Sequence, residues 1–349
     1  MSDQLGKLKG IVSGKLGEDV KAKEDLHYPR HLLILSADIV GSTALKQNAG
    51  FSPHALETIL SDKTLNENQK KDAVKKIEKW FEVLRYFYTE STNIFNKEFR
   101  DLINNVDAHD VGDTPTLWKT VGDEVLFYKN VTKPAQISNT VIAWRRAMQH
   151  LRAGLKAHEQ RLDIKCTAWL AEFPVENKIL IAPSGSMSGA SACSIAQTFD
   201  EKMRLCNGDF VGPSIDIGFR LAALSTSRKF MISLDVAYFL ATVSGDDISI
   251  HYDGRQYFKG VAGGVEYPTF WIDMGEKDTL DRKEDGLLNR SLCADRDVKE
   301  FCQKFYDDKD NPSFAPFLFS ERVPAKINLS QSYVEAYNII VEQHDGTSC

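Results

Sequence analysis

The 349-residue chain has no run approaching the roughly 18 to 20 consecutive apolar residues of a membrane helix. Its first 28 residues are polar and mixed in charge, without the apolar centre of a signal peptide. Six cysteines (Cys166, Cys193, Cys206, Cys293, Cys302 and Cys349) form no CxxC pair and no metal-type spacing, so they read as reduced thiols. The eight histidines are scattered without ligand spacing. No internal repeat and no Ser-His-Asp or Cys-His pattern stands out, so no side-chain nucleophile is indicated. Charge of one sign is also lacking. A net charge of −6 gives no electrostatic reason for nucleic acid or an anionic membrane as the main partner. A polyanionic substrate would have to be held by local cations or metal. The expectation is a cytoplasmic protein of ordinary globular composition, 42% hydrophobic and 26% charged.

What is present is an alternation of strand-like and helix-like stretches. His31 to Ser36 is a short apolar run ending in Ala37-Asp38, which suits a buried central strand. From Lys71 to Asn104, Val74, Ile77, Phe81, Leu84, Tyr88, Phe95, Phe99 and Leu102 recur at helical spacing and predict one long amphipathic helix. Trp118 to Tyr128 reads as a hairpin turning at Gly122-Asp123. A second helix is expected over Gln136 to Glu159, strands over Ile164 to Ala171 and Lys178 to Ala182, and a surface loop at Ser184 to Cys193. Asp209 to Arg228 should begin in a turn and become a helix. Phe230 to Leu234 reads as a strand, Asp235 to Val243 as a helix, and Ile248 to Ile272 as strands broken at glycines. This β-α-α-β order predicts an α/β or α+β sheet domain.

Two carboxylates sit at strand tips. Asp38 ends the apolar run, and Asp123 occupies the hairpin turn. A buried strand has little reason to finish on an aspartate unless a cation meets it. Two such aspartates brought together would repel, and divalent metal is the usual remedy. The plainer reading stays open: Asp38 caps the helix near Ser42 and Asp123 only makes a turn. Glu124 is expected to point to the opposite face from Asp123 and so to lie outside a site. Trp80, Phe81, Tyr86 and Phe87 read as core or subunit interface.

Three strings in order tip the balance: SADIVGST (Ser36 to Thr43), WKTVGDEVLF (Trp118 to Phe127) and DFVGPSIDIGFRLAAL (Asp209 to Leu224). Together they resemble the signature stretches of class III adenylate and guanylate cyclases, over roughly Leu32 to Ile272. The resemblance implies a ferredoxin-like, antiparallel-centred sheet flanked by helices, with a lead-in (1–30), a catalytic domain (31–275) and a C-terminal extension (276–349). Asp38 and Asp123 lie further apart in sequence than the family pattern has them, which implies a helical insertion at about 46–110. It implies metal-dependent closure of a nucleoside triphosphate into a 3′,5′-cyclic nucleotide, with pyrophosphate released.

Carried over position by position, Asp38 and Asp123, with the Ile39 carbonyl, match the ligands of two divalent cations, Mn²⁺ or Mg²⁺. Lys119 and Asp209 match the base-reading pair. Arg220 matches the arginine that stabilises the pentavalent phosphorus, and Lys259 resembles the lysine on the β,γ-phosphates. Thr43 and Lys165 are the remaining expected substrate contacts. Ser42 replaces the family phenylalanine, Lys165 the family arginine, and Asp216 the family asparagine. Asp216 and Arg220 would share a helix face and could pair.

The resemblance further implies a homodimer with composite sites. The Lys119/Asp209 pair looks adenylate-like, yet a lysine and an aspartate can meet adenine, cytosine or uracil. The stand-alone look is similar to the pyrimidine cyclases of bacterial Pycsar anti-phage defence, which implies cyclic UMP or cyclic CMP read by a separate effector. Adenylate cyclase, a catalytically silent cyclase-fold module and a polymerase-like nucleotidyltransferase are the alternatives.

Overall fold

The leading apolar run, longer than expected, forms the spine of the sheet. In a computed structural model describing residues 29–48, 53–181, 198–205, 207–243, 248–275, 279–290, 292–308, 317–318 and 331–345, it becomes strand β1 (Arg30–Val40). There follow α1 (Ser42–Asn48), α2 (Pro53–Ser61), α3 (Glu67–Ile77), α4 (Lys79–Ile103), α5 (Ala108–Val111), β2 (Thr116–Val121), β3 (Glu124–Asn130) and α6 (Pro134–His158). The chain continues through β4 (Asp163–Phe173), β5 (Lys178–Ile181), α7 (Phe199–Leu205), β6 (Gly208–Val211), α8 (Pro213–Leu224), β7 (Lys229–Ile232) and α9 (Leu234–Leu240). It then runs through β8 (Ile250–Tyr257), β9 (Glu266–Asp273), α10 (Thr279–Leu287), α11 (Asp295–Tyr306) and α12 (Gln331–Asp345). The expected lead-in up to residue 28 and the loop at Ser184 to Cys193 lie outside the described residues. No helix among the described residues is long and apolar enough to cross a membrane.

Seven strands form one sheet in the order β2-β3-β1-β4-β7-β9-β8, and β5 pairs with β6 separately. Every pairing in the large sheet is antiparallel except β4 with β7. The fold is thus a mixed α/β sheet flanked by helices, as expected.

β1 is buried on both faces, and side-chain alternation divides its residues between two cores. Leu33, Leu35, Ala37 and Ile39 face α4 and α6, where Phe95 meets Trp144 at 4.7 Å between ring centroids. Leu32 and Ile34 face the opposite way, into a core with Leu126, Tyr128, Trp169, Phe173 and Phe210. Helix α8 covers part of that second face, with Gly218 against the Trp169 ring. Val298 and Cys302 of α11, in the expected C-terminal extension, join the larger core.

Three local expectations change. The single helix over Lys71 to Asn104 is two helices, α3 and α4, interrupted at Glu78. The fully buried stripe of α4 is Val83, Phe87, Ser91, Phe95 and Phe99, an i, i+4 ladder, and Phe81 is exposed instead. The stretch after Asp209 is a strand rather than a turn, because β5 supplies it with a partner.

Candidate functional site

The site is built from the lower end of β1. The pairing register sets Asp38 between Glu124 of β3 and Lys165 of β4. Directly paired residues share a face, so all three project from the face that carries Leu32 and Ile34. The β2–β3 hairpin then delivers Asp123. Gly122 takes a positive φ of 64°, suited to the first of two turn residues in a tight hairpin. The Ile39 amide donates to the Asp123 carbonyl at 3.2 Å, which ties the hairpin to the end of β1. The Tyr88 hydroxyl on α4 donates to the Gly122 carbonyl.

Each carboxylate has a partner. Lys165 Nζ lies 2.9 Å from Asp38 Oδ2. The buried Ser42 hydroxyl donates to Asp123 Oδ2, and Lys46 Nζ lies 3.7 Å from Asp123 Oδ1. The Ser36 hydroxyl donates to Glu124 Oε1. Burial pushes the Asp38 carboxyl above its ordinary range. Lys165 opposes that shift, and the negative charge of Asp123 adds to it. Glu124 is likewise raised, first by burial and further by Asp38 and Asp123, against the Ser36 hydrogen bond.

Glu124 therefore belongs with the carboxylates, contrary to expectation. Alternation counted from Asp123 misplaces it because a turn residue is no origin for strand periodicity; the β1–β3 register sets its face. Ser42, which looked like a mere departure from the family pattern, is the residue that holds Asp123.

A metal ion suits this donor set. Asp38, Asp123 and the Ile39 carbonyl are hard oxygen donors, the kind that Mg²⁺ and Mn²⁺ take. A cation would also relieve the burial and like-charge effects that raise Asp38. Among the described residues no three His, Cys, Asp or Glu side chains are grouped so as to hold a metal ion by themselves. Two carboxylates plus a carbonyl leave coordination positions for a substrate.

The second expected pair also forms. Lys119 Nζ lies 2.6 Å from Asp209 Oδ1. A β-bulge between Leu117 and Lys119 makes this possible. Plain alternation would send Trp118 and Lys119 to opposite faces, whereas the extra residue lets both approach the second core. The Trp118 ring meets Phe210 in a tilted contact at 4.6 Å between centroids, and Lys119 Nζ lies 4.0 Å from the Trp118 ring centroid.

The remaining expected residues stand apart. Thr43 is exposed on α1. Asp216 and Arg220 are exposed on α8, and no ion pair forms between them. Their fourfold spacing put them on one helix face, but in solvent such a pair gains too little to fix two side chains. Lys259 is exposed beyond the end of β8, the edge strand furthest from β2. Four strand spacings separate β8 from β1, roughly 19 Å. The register also places Lys259 beyond the top of the sheet and Asp38 near its bottom.

No family model matches the sequence, and no curated protein does. Solved structures similar to this chain include the adenylyl cyclase CyaB from P. aeruginosa, at 14% identity and TM-score 0.43, over 72% of this chain and 96% of that one. The guanylyl cyclase Cya2 is 15% identical at TM-score 0.36, over 72% and 95% of the two chains. An adenylate/guanylate cyclase/hydrolase from Silicibacter pomeroyi is 11% identical at TM-score 0.37, over 71% and 99%. At TM-scores below 0.5 these likenesses carry no weight for function, which rests on the side chains themselves.

Proposed function

We propose that this protein is a metal-dependent nucleotidyl cyclase acting as a homodimer. The observation that carries the reading is the convergence of Asp38, Asp123 and the Ile39 backbone at one sheet end, with the Lys119–Asp209 pair held separately. Asp38, Asp123 and the Ile39 carbonyl would hold two divalent cations, Mn²⁺ or Mg²⁺, which lower the pKa of a ribose hydroxyl and neutralise a triphosphate. The 3′-hydroxyl oxygen gives up its proton to water and bonds to the α-phosphorus, the bond from that phosphorus to the α,β-bridging oxygen breaks, and pyrophosphate leaves. The protein's part is positioning and charge stabilisation.

Ser42 fixes the Asp123 carboxylate, and Lys165 and Lys46 balance the charge of Asp38 and Asp123. Lys119 and Asp209 read the base edge. Their side chains are 31% and 45% exposed, so the pair contributes only about 0–1 kcal/mol and opens readily to a ligand. Arg220 neutralises charge at the α-phosphorus, Lys259 grips the β,γ-phosphates, and Asp216 stands beside Arg220. Thr43 contacts the phosphates from α1. The diagonal separation of Lys259 from Asp38 supports composite sites, in which one chain lends its carboxylates and its twin lends Lys119, Asp209, Arg220 and Lys259.

The base is read as a pyrimidine, UTP ahead of CTP. Lys119 and Asp209, 2.6 Å apart before any ligand separates them, offer one donor and one acceptor, which a uracil or cytosine edge can meet. Leaving such groups unpaired with a wrong base makes discrimination large. Cyclic UMP or cyclic CMP would then be a second messenger for a separate effector, in the manner of anti-phage signalling.

Incubating the enzyme with each of the four triphosphates and Mn²⁺, with products identified by mass, is the test. Cyclic UMP or cyclic CMP should dominate. Cyclic AMP instead would overturn the pyrimidine assignment, and no cyclic product would overturn the cyclase reading. For the dimer, inactive Asp123→Ala mixed with inactive Arg220→Ala should regain activity. No rescue under subunit exchange would refute composite sites.

A further inference from the structure

Just past the Asp38 end of β1, bordered by Gly41, lies a cavity of about 380 Å³. Its walls are α1, the α3–α4 junction and the turn that follows α6. Leu45, Trp80 and Leu162 give it an apolar lining with one flat indole. Lys76, Lys79 and Arg161 give it three cations against a single carboxylate, Glu159. Lys79 lies 3.2 Å from Glu159, and Arg161 lies 3.7 Å from it. Lys76 makes no ion pair among the described residues, so the cavity keeps an excess of positive charge. Its volume falls within the range of small-molecule sites.

Each wall leads to the carboxylates. From α1, which presents Leu45 to the cavity, Ser42 and Lys46 reach Asp123. From α4, which presents Trp80, Tyr88 reaches the Gly122 carbonyl two turns further on. From the turn carrying Arg161 and Leu162, the chain enters β4, where Lys165 meets Asp38. The main chain of Gly41 packs against the Arg161 carbonyl, with its β-position only 3.3 Å from that oxygen. A molecule lodged here therefore presses on three elements that set the positions of Asp38 and Asp123.

We propose that this cavity is an effector site for a small amphipathic anion. Its flat apolar body lies against Trp80, Leu45 and Leu162, and its carboxylate, sulfonate or phosphate lies among Lys76, Lys79 and Arg161. Occupancy clamps α1 against the turn before β4 and so steadies the Gly122-Asp123 hairpin. The consequence for turnover rests on the cyclase reading above; binding and clamping do not.

The probe is 8-anilinonaphthalene-1-sulfonate, an aromatic monoanion whose fluorescence reports binding. One equivalent should bind per chain, and the charge reversals Lys76→Glu and Lys79→Glu together should weaken it about tenfold or more. Ala44→Phe, which fills the cavity without altering charge, should weaken it similarly. Neutral N-phenyl-1-naphthylamine should bind less tightly than the sulfonate. Hydrogen exchange at the Ile39 and Leu45 amides, which bond to Asp123 and Gly41, should slow when the probe is bound. Equal binding by wild type and both variants would overturn the site, and equal binding of the neutral analogue would overturn the anion. Unchanged exchange at both amides with the probe bound would overturn the clamping. None of these readouts requires a turnover, so a protein that cyclises nothing can still pass or fail them.

Discussion

Replacing Ser42 by alanine tests the reading of the carboxylates at its most specific point. Ser42 is 4% exposed, and its hydroxyl donates to Asp123 Oδ2. A hydrogen bond to a charged group contributes about 1.5–3 kcal/mol. The other contact to Asp123 is Lys46 at 3.7 Å, with a side chain 36% exposed, which offsets little of that loss. The Asp123 carboxylate should then sample orientations in which it no longer faces Asp38. Loss of a residue that orients a metal ligand costs about 10–100-fold in metal affinity or activity.

The assay is Mn²⁺ binding, followed by the electron paramagnetic resonance of the free ion, with cyclase turnover measured against Mn²⁺ concentration. Ser42→Ala should shift both midpoints upward by about tenfold or more. Ser42→Thr, which keeps the hydroxyl, should recover most of the loss. A merely structural role would lower thermal stability without moving the Mn²⁺ midpoint. Identical Mn²⁺ titrations for Ser42→Ala and wild type would refute the argument for Ser42, and wild-type protein that binds no Mn²⁺ would refute the metal site.

Two further predictions concern the frame around the site. A β-carbon at Gly218 would lie 2.3 Å from Trp169 Cδ2 and Cε2, so Gly218→Ala must push α8 away from β4. Overpacking of this kind costs about 1–3 kcal/mol, to be read as a lower urea midpoint, and an unchanged midpoint would refute the close approach. Burial pushes the Glu172 carboxyl up to about 7, despite donation from the Tyr333 hydroxyl of α12 and two backbone amides. The folded state therefore holds this proton more tightly than the unfolded chain, and the associated stability is complete below the ordinary carboxylate range and lost as pH rises through about 7. Glu172→Gln, which cannot ionise, should gain on wild type between pH 5 and pH 8 by up to about 3 kcal/mol. An equal stability difference at both pH values would refute it.

The sheet was legible because its signals are local. The run from His31 to Ser36 is short, apolar and rich in Ile and Leu, which suits a central strand, and the glycine at 122 marks a hairpin without reference to the rest of the chain. The carboxylates at the two strand tips followed from the same signals. Glu124, Ser42 and the Trp118 bulge were not legible, because each depends on which residue stands opposite on another strand or helix. Glu124 joins the site through a register with β1, and Ser42 through a turn of α1 that meets the hairpin. The break at Glu78 was hidden for another reason. Both flanking segments are good helix sequence, and the chain there has no proline or glycine to mark the interruption.

The distribution of cations ties the fold to the proposed dimer. A chain with net charge −6 cannot attract a triphosphate through its overall field. Beside the carboxylates, Lys165 is within ion-pair distance of Asp38 and Lys46 of Asp123, so their charge is largely spent at home. Arg220 and Lys259 are exposed and make no ion pair among the described residues. Both are therefore available to phosphate without breaking an existing bond. Yet Lys259 lies four strands from β1 and beyond the opposite end of the sheet. On the proposed reading, one chain holds the metal without enough free charge for the triphosphate, and its twin has free charge with no use for it at home. Head-to-tail pairing is the arrangement in which each need is met twice.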